Sequence, residues 1–159
     1  MGQCFSTPPL KFHSVKKGKY TINYPNHPPR KDTTLYTRTN RDMCQIRDLP
    51  CWICGKNRKA GAATETHHYF VTWVASSAID WIKFGECAMQ WYHPQTGTRI
   101  GTVFNWQQVA RKPELFVDSQ YNMLVLCQEH HRGRLGIHHV PFPEWILQAA
   151  PQQGFTFLV

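Results

Sequence analysis

The sequence predicts a small α+β fold, on three observations. Short runs rich in apolar and β-branched residues, at 65–71 and 123–126, alternate with stretches of helical apolar spacing. Two pairs of metal-ligand residue types, Cys51-x-x-Cys54 and Cys127-x-x-His130, bracket the chain between them. The first 50 residues hold Pro8, Pro9, Pro25, Pro28, Pro29 and Pro50 and sustain no apolar period, which predicts an extended segment ahead of the folded part. With 159 residues, the chain can bury one modest core but not two independent ones.

Along the chain, a short strand is expected at 20–24, and 51–60 (CWICGKNRKA) reads as a knuckle-like turn. A strand at 65–71 follows, with aromatic and β-branched residues at its far end. Ile79, Ile82, Met89 and Trp91 give 76–92 a loosely helical spacing, against which Gly85 speaks. The stretch 93–97 (HPQTG) predicts a turn, 98–104 a strand, and 105–111 a short helix that must stop before Pro113. A strand at 123–126 leads into a helix beginning near Gln128, and the apolar, Pro-punctuated stretch 141–159 resists assignment. The expected organisation is a basic N-terminal arm (1–50), a core (51–139) with a long insertion (72–121) between its two strands, and a C-terminal segment (140–159). Trp73, Trp81, Trp91 and Trp106 of the insertion are expected in a core rather than as platforms for stacked bases.

The charge is lopsided. Residues 1–60 hold twelve Lys or Arg against three acids (+9), and residues 61–159 hold six against seven (−1), together the net +8. A basic arm on a near-neutral body favours a polyanionic partner, with nucleic acid the default and a solubilising surface the plain alternative. No apolar run reaches membrane-span length and no secretion signal opens the sequence, so no membrane partner is expected. The expected location is cytoplasmic, or nuclear in a eukaryote. Met1-Gly2-Gln3-Cys4-Phe5-Ser6 also fits the N-myristoylation pattern, a six-residue match that arises readily by chance.

Six cysteines, at 4, 44, 51, 54, 87 and 127, with no secretion signal, point to thiolate metal ligation rather than a disulfide framework. Two ligands separated by two residues grip one face of a tetrahedral zinc ion, and a second such pair supplies the other. Cys51, Cys54, Cys127 and His130 are therefore read as a structural Zn²⁺ site, tying together segments that stand 73 residues apart from Cys54 to Cys127. Pro50-Cys51-x-x-Cys54 also matches half of the zinc deaminase signature, but the His-x-Glu half is missing upstream.

Interlaced with these pairs are His67-His68, then Asn122 at the head of an apolar run, then His131 nine residues later. In these residues the chain resembles the HNH (ββα-metal) endonucleases, in their zinc-containing variant. It departs from that pattern at His130, where a Cys would stand, and in the 54-residue step from His68 to Asn122. The match covers about 25 motif residues and says nothing of 1–50 or 140–159. The insertion could hold substrate contacts, a dimer surface or extra core.

The resemblance implies a ββα-metal core and DNA as the substrate, cut to 5′-phosphate and 3′-hydroxyl ends. It implies that His68 takes the proton from water, and that His67 and His131 hold one divalent cation, Mg²⁺, Mn²⁺ or Ni²⁺. Imidazole ligands suit the latter two better than Mg²⁺. Asn122 would orient His68 or brace the loop that carries it. Arg132 and Arg134, with Lys56, Arg58 and Lys59 of the knuckle, are candidate phosphate contacts. Glu65 is expected to bond a histidine or lie in solvent, and His138 to be a surface residue or to stand near the site. The rivals are a non-catalytic zinc-binding nucleic-acid module and a viral accessory interaction protein.

Overall fold

The computed structural model describes residues 25, 29–140 and 148–149. The expected strand at 20–24, the myristoylation pattern and nearly all of the C-terminal segment lie outside them. Among the described residues the chain is a mixed helix-and-strand, α+β protein with one two-stranded antiparallel sheet. No helix among them is long and apolar enough to cross a membrane.

The sheet pairs β1 (Thr64–His68) with β2 (Met123–Cys127), in a register that sets Thr64 opposite Cys127 and His68 opposite Met123. All five residues of β2 are buried, as its unbroken apolar run requires of a strand covered on both faces. Leu124 and Leu126 pack with Cys51, Ile53 and Val140 on one face. Met123 and Val125 pack with Met43 and Cys44 on the other.

That second cover corrects the expected extended arm. Residues 34–46 are helical: α1 (Thr34–Arg41), capped by Thr33, whose hydroxyl accepts from the Tyr36 N–H, runs on into a wider turn over Asp42–Ile46. The turn drives Met43 and Cys44 into the core. This segment is part of the body.

β1 is shorter than expected and ends at His68 because Asn122 takes over the backbone beyond it. The Asn122 side chain accepts from Phe70 N–H (3.0 Å) and Val71 N–H (2.9 Å), and donates to the carbonyls of Val71 (2.7 Å) and Val117 (2.9 Å). A buried amide with its oxygen and nitrogen engaged in this way fixes where the strand stops and the insertion begins.

The insertion has its own aromatic core. The helix predicted at 76–92 is the shorter α3 (Trp81–Ala88), and a separate turn, α2 (Trp73–Ser76), precedes it. They are split because Asp80 caps the second, accepting from the N–H groups of Ile82 and Lys83. Gly85 is used rather than merely tolerated: a Cβ there would lie 2.4 Å from Trp106 Cγ. The expected strand at 98–104 is instead an isolated bridge, Tyr92 to Arg99, and a single tight turn over Ile100–Thr102. Gly101 presses against the end of α3, where a Cβ would come within 2.5 Å of Met89 N, so the chain bends there. The helix expected at 105–111 is α4 (Trp106–Arg111), capped by Asn105, and α5 (Glu114–Val117) follows. Trp81 is buried and Trp73 and Trp106 are partly so, packed with Phe84, Phe104 and Phe116. Trp91 is exposed, its ring stacked on Phe70. One turn, α6 (Gln128–Arg132), closes the core after β2.

Candidate metal centres and the histidine beside them

Two clusters of ligand atoms flank α6. Cys51 and Cys54 come from the knuckle, where Gly55 takes a left-handed φ of +70° to turn the chain back. Cys127 ends β2 and His130 follows on α6, so all four predicted zinc ligands meet, with their donor atoms within 4.8 Å of one another. The Cys54–Cys127 sulfurs are 3.9 Å apart and Cys51 Sγ lies 3.7 Å from His130 Nδ1, with a shorter Cys127–His130 edge of 3.0 Å. A tetrahedral zinc site has edges of about 3.8 Å between sulfurs and about 3.5 Å between sulfur and nitrogen.

The electrostatics fit a cation. Burial, together with the neighbouring Cys51 and Cys54, pushes the Cys127 thiol up to about 11, against the opposing pull of the His130 backbone N–H. Burial would raise the Cys54 thiol, but hydrogen bonds from the Lys56 backbone N–H, Cys51 and Cys127 outweigh it and hold it below its ordinary value. The raised Cys127 is therefore the thiol that most needs a cation beside it to ionise. Burial lowers His130 and so keeps its ring neutral and able to ligate. This Cys3His cluster can hold a metal ion.

The second cluster is His67, His131 and His138. His131 Nε2 lies 3.2 Å from His67 Nδ1 and 3.1 Å from His138 Nε2. Glu65, from the same face of β1 as His67, accepts from His131 Nδ1 at 2.6 Å and also takes Arg132. Because an ionised carboxylate only accepts, this hydrogen bond places a proton on His131 Nδ1 and leaves Nε2 as the nitrogen that can ligate. One lone pair cannot serve two neighbours well, whereas a cation at about 2.1 Å from each nitrogen would give adjacent ligands about 3.0 Å apart. A carboxylate behind a ligating imidazole is the usual brace of a metal-bound histidine.

His138 reaches this cluster by a route different from helical continuation. The helix ends at Arg132, and glycines fold the chain back over it: a Cβ on Gly136 would meet the His131 carbonyl at 2.5 Å, and one on Gly133 the Glu129 carbonyl at 2.5 Å. Ile137 N–H then bonds the His130 carbonyl, returning the next residue to the His131 side of the turn. Sequence spacing gave no signal for this; only the glycines hinted at a close turn.

His67 is pushed down to about 3, by burial first and then by His131, His138 and His68. Its ring is thus neutral across the physiological range. The folded protein then binds fewer protons than the unfolded chain wherever the pH lies below 6.5, the ordinary histidine value. Stability is full above that pH and is lost progressively as pH falls from there toward 3; buried His93, lowered by its own burial, acts in the same direction. We expect the melting temperature to fall steadily across this window. A melting temperature that stays level from pH 6.5 to 4 contradicts the placement of His67.

His68, next on the strand, points to the opposite side, as alternation requires. Its Nε2 lies 3.4 Å from Asp118 Oδ1, and its ring stacks on Tyr36 with centroids 6.1 Å apart. Arg30 brings Nη1 within 3.3–3.4 Å of both ring nitrogens and Nη2 within 3.4 Å of Asp118. Burial would raise the Asp118 carboxyl, but the His68 and Thr33 hydrogen bonds and the Arg30 charge outweigh it and hold it below its usual value. Asp118, Arg30, Thr33 and Tyr36 were not among the sequence candidates, and no spacing marks them.

The Asn122 side chain makes its hydrogen bonds with the backbone of Phe70, Val71 and Val117 and so braces the loop after β1. Glu65 bonds both His131 and Arg132. Lys56, Arg58 and Lys59 are exposed on the knuckle, where the backbone N–H groups of Arg58 and Lys59 bond the buried Asp48 carboxylate. Arg134 is exposed beyond α6. Compared with protein-family models, with curated proteins and with solved structures, the chain matches none.

Proposed function

We propose that this protein is a metal-dependent DNA endonuclease of the HNH type, with β1, β2 and α6 as its ββα-metal core and zinc in the Cys3His cluster. One observation carries the reading: three imidazole nitrogens, from His67, His131 and His138, converge on a single point, and His68 stands next to His67 on the strand. Three neutral nitrogens suit Mn²⁺, Ni²⁺ or Zn²⁺ better than Mg²⁺ and leave the remaining coordination positions open. A cation there would supply positive charge to the scissile phosphate and the departing 3′ oxygen.

The chain's own residues supply the rest. His68 takes the proton from the attacking water, a task for which imidazole is suited near neutral pH. Glu65 holds His131 in its ligating tautomer, and Asn122 holds the turn that ends β1. We assign Lys56, Arg58 and Lys59 of the knuckle, with Arg132 and Arg134 beside α6, to phosphate oxygens, which set affinity and position rather than sequence preference.

Incubation of supercoiled plasmid with the purified protein and Mg²⁺, Mn²⁺ or Ni²⁺ should give nicked or linear DNA with 5′-phosphate ends, and EDTA should stop it. Binding without cutting under every cation would reassign the chain as a zinc-containing nucleic-acid module.

The N-terminal charge has a separate test. Residues 1–28 carry Lys11, Lys16, Lys17 and Lys19 and no acid. The truncation keeps Arg30, Thr33 and α1, so the shortened protein should fold and, at saturating DNA, still cut. If all four lysines lie against phosphates, the slope of log affinity against log salt should shrink by about 3.6. An unchanged slope in a well-folded truncation means these lysines do not meet DNA.

A further inference from the structure

We propose that Asp118 is a positioning residue for His68: it accepts from Nε2 and so fixes the ring in the tautomer whose Nδ1 carries the lone pair, with Thr33 holding the carboxylate in place. The inference rests on the nuclease reading only for what the lone pair is used for; the arrangement itself is a matter of donors and acceptors.

Asp118 is 1 % exposed and lies just after α5, so it belongs to the insertion. Its Oδ2 accepts from the Thr33 hydroxyl at 2.7 Å. That hydroxyl already accepts the Tyr36 N–H at 2.9 Å as the cap of α1, which directs its own proton to Asp118. The other oxygen, Oδ1, faces His68 Nε2 and Arg30. An ionised carboxylate has no proton to give, so a hydrogen bond to Nε2 requires the proton to be on the ring nitrogen. Arg30 is about equally close to both ring nitrogens and so selects neither. Tyr36, stacked on the ring at an interplanar angle of 17°, restrains it from turning over. Two segments outside the ββα core, the N-terminal helix and the insertion, thus meet on one side of His68.

The decisive variant is Asp118→Asn, read in an Arg30→Ala background, where no guanidinium donor opposes the amide NH₂. Its oxygen still accepts from Thr33 and the NH₂ donates to His68 Nε2, which forces the proton onto Nδ1. The ¹⁵N shifts of the His68 imidazole distinguish the two tautomers in the full-length protein with Zn²⁺ as a diamagnetic occupant, at a pH of about 8, where an ordinary histidine is neutral. Wild type and Arg30→Ala should both carry the proton on Nε2, Asp118→Asn in the Arg30→Ala background should carry it on Nδ1, and Thr33→Ser should match wild type where Thr33→Val does not.

In cleavage, kcat of this double variant should fall by about 10²-fold or more below that of Arg30→Ala while KM changes little, the loss typical of a base held in the wrong tautomer. A wild-type ring protonated on Nδ1, or a tautomer unmoved in the folded double variant, overturns the proposal. So does a scrambled ring in Arg30→Ala. If the tautomer switches as stated but the wild type cuts no DNA, the positioning stands and the nuclease reading falls. If the wild type cuts through His68 and the double variant neither switches nor slows relative to Arg30→Ala, only the positioning falls.

Discussion

Serine in place of Cys51 or Cys127 should cost the protein both its Cys3His metal and its fold. The cluster fastens the knuckle to the end of β2 and the start of α6, and the same residues lie in the cluster of buried side chains on that face of the strand. Structural zinc binds small domains with about 10–16 kcal/mol of free energy, and that binding is folding free energy. Whole domains of this size are stable by only about 5–15 kcal/mol, so losing the ion removes an amount comparable to the total. Purified wild type should carry about one zinc per chain that survives mild chelation, and each variant should carry less and melt without a cooperative transition. A Cys127→Ser protein with wild-type melting would show the cluster to be dispensable, with the core residues around it sufficient.

Alanine at His68 should stop DNA cleavage, lowering kcat by about 10²–10⁴-fold, the range a positioned proton acceptor contributes. Metal content and DNA affinity should hardly change, because the side chain joins neither cluster. His67→Ala should lose activity by another route, through weaker binding of the cation at the histidine cluster, and part of its activity should return at higher Mn²⁺. The contrast is the informative part. A His68→Ala enzyme that cuts at the wild-type rate, or that is rescued by metal as His67→Ala is, would move the proton-accepting role to another residue.

Legibility in the sequence followed range. Ligands two residues apart, adjacent histidines on a strand and a continuous apolar run such as Met123–Cys127 are short-range patterns, and their residues came together as spacing implied. α1 was missed because its sequence, TLYTRTNR, buries only Thr39 and shows no apolar stripe; the residues that cover β2, Met43 and Cys44, come in the turn after it. An unbroken apolar strand needs two covers, and no apolar period marks 34–46 as one of them. Asp118 and Thr33 could not have been found at all, since one carboxylate and one hydroxyl 85 residues apart have no periodic signature. His138 stands near the site, as one of its two readings had it, but it arrives there because the chain doubles back at two glycines, a route no helical spacing marks.

The Asn122 amide joins the two ends of the insertion, with its nitrogen 2.7 Å from the Val71 carbonyl. The fifty residues 72–121 therefore leave and rejoin the chain at one spot, and the strand pair beneath is in effect a hairpin with an excursion. Closing such an excursion becomes only slowly more unfavourable as it lengthens, by about 0.6 kcal/mol per doubling. Its length can therefore change at small entropic cost, but its contents are tied to the strand beneath: His93 donates to the Met123 carbonyl at 2.8 Å and Gln95 accepts from the Val125 N–H at 3.0 Å. Its last few residues have less freedom: any replacement must still deliver a carboxylate to His68 and a carbonyl to Asn122. A shortened protein that keeps only 116–122 would lose those two ties to β2 and uncover Phe116 and Val117, a larger change to this molecule than a single substitution at position 118.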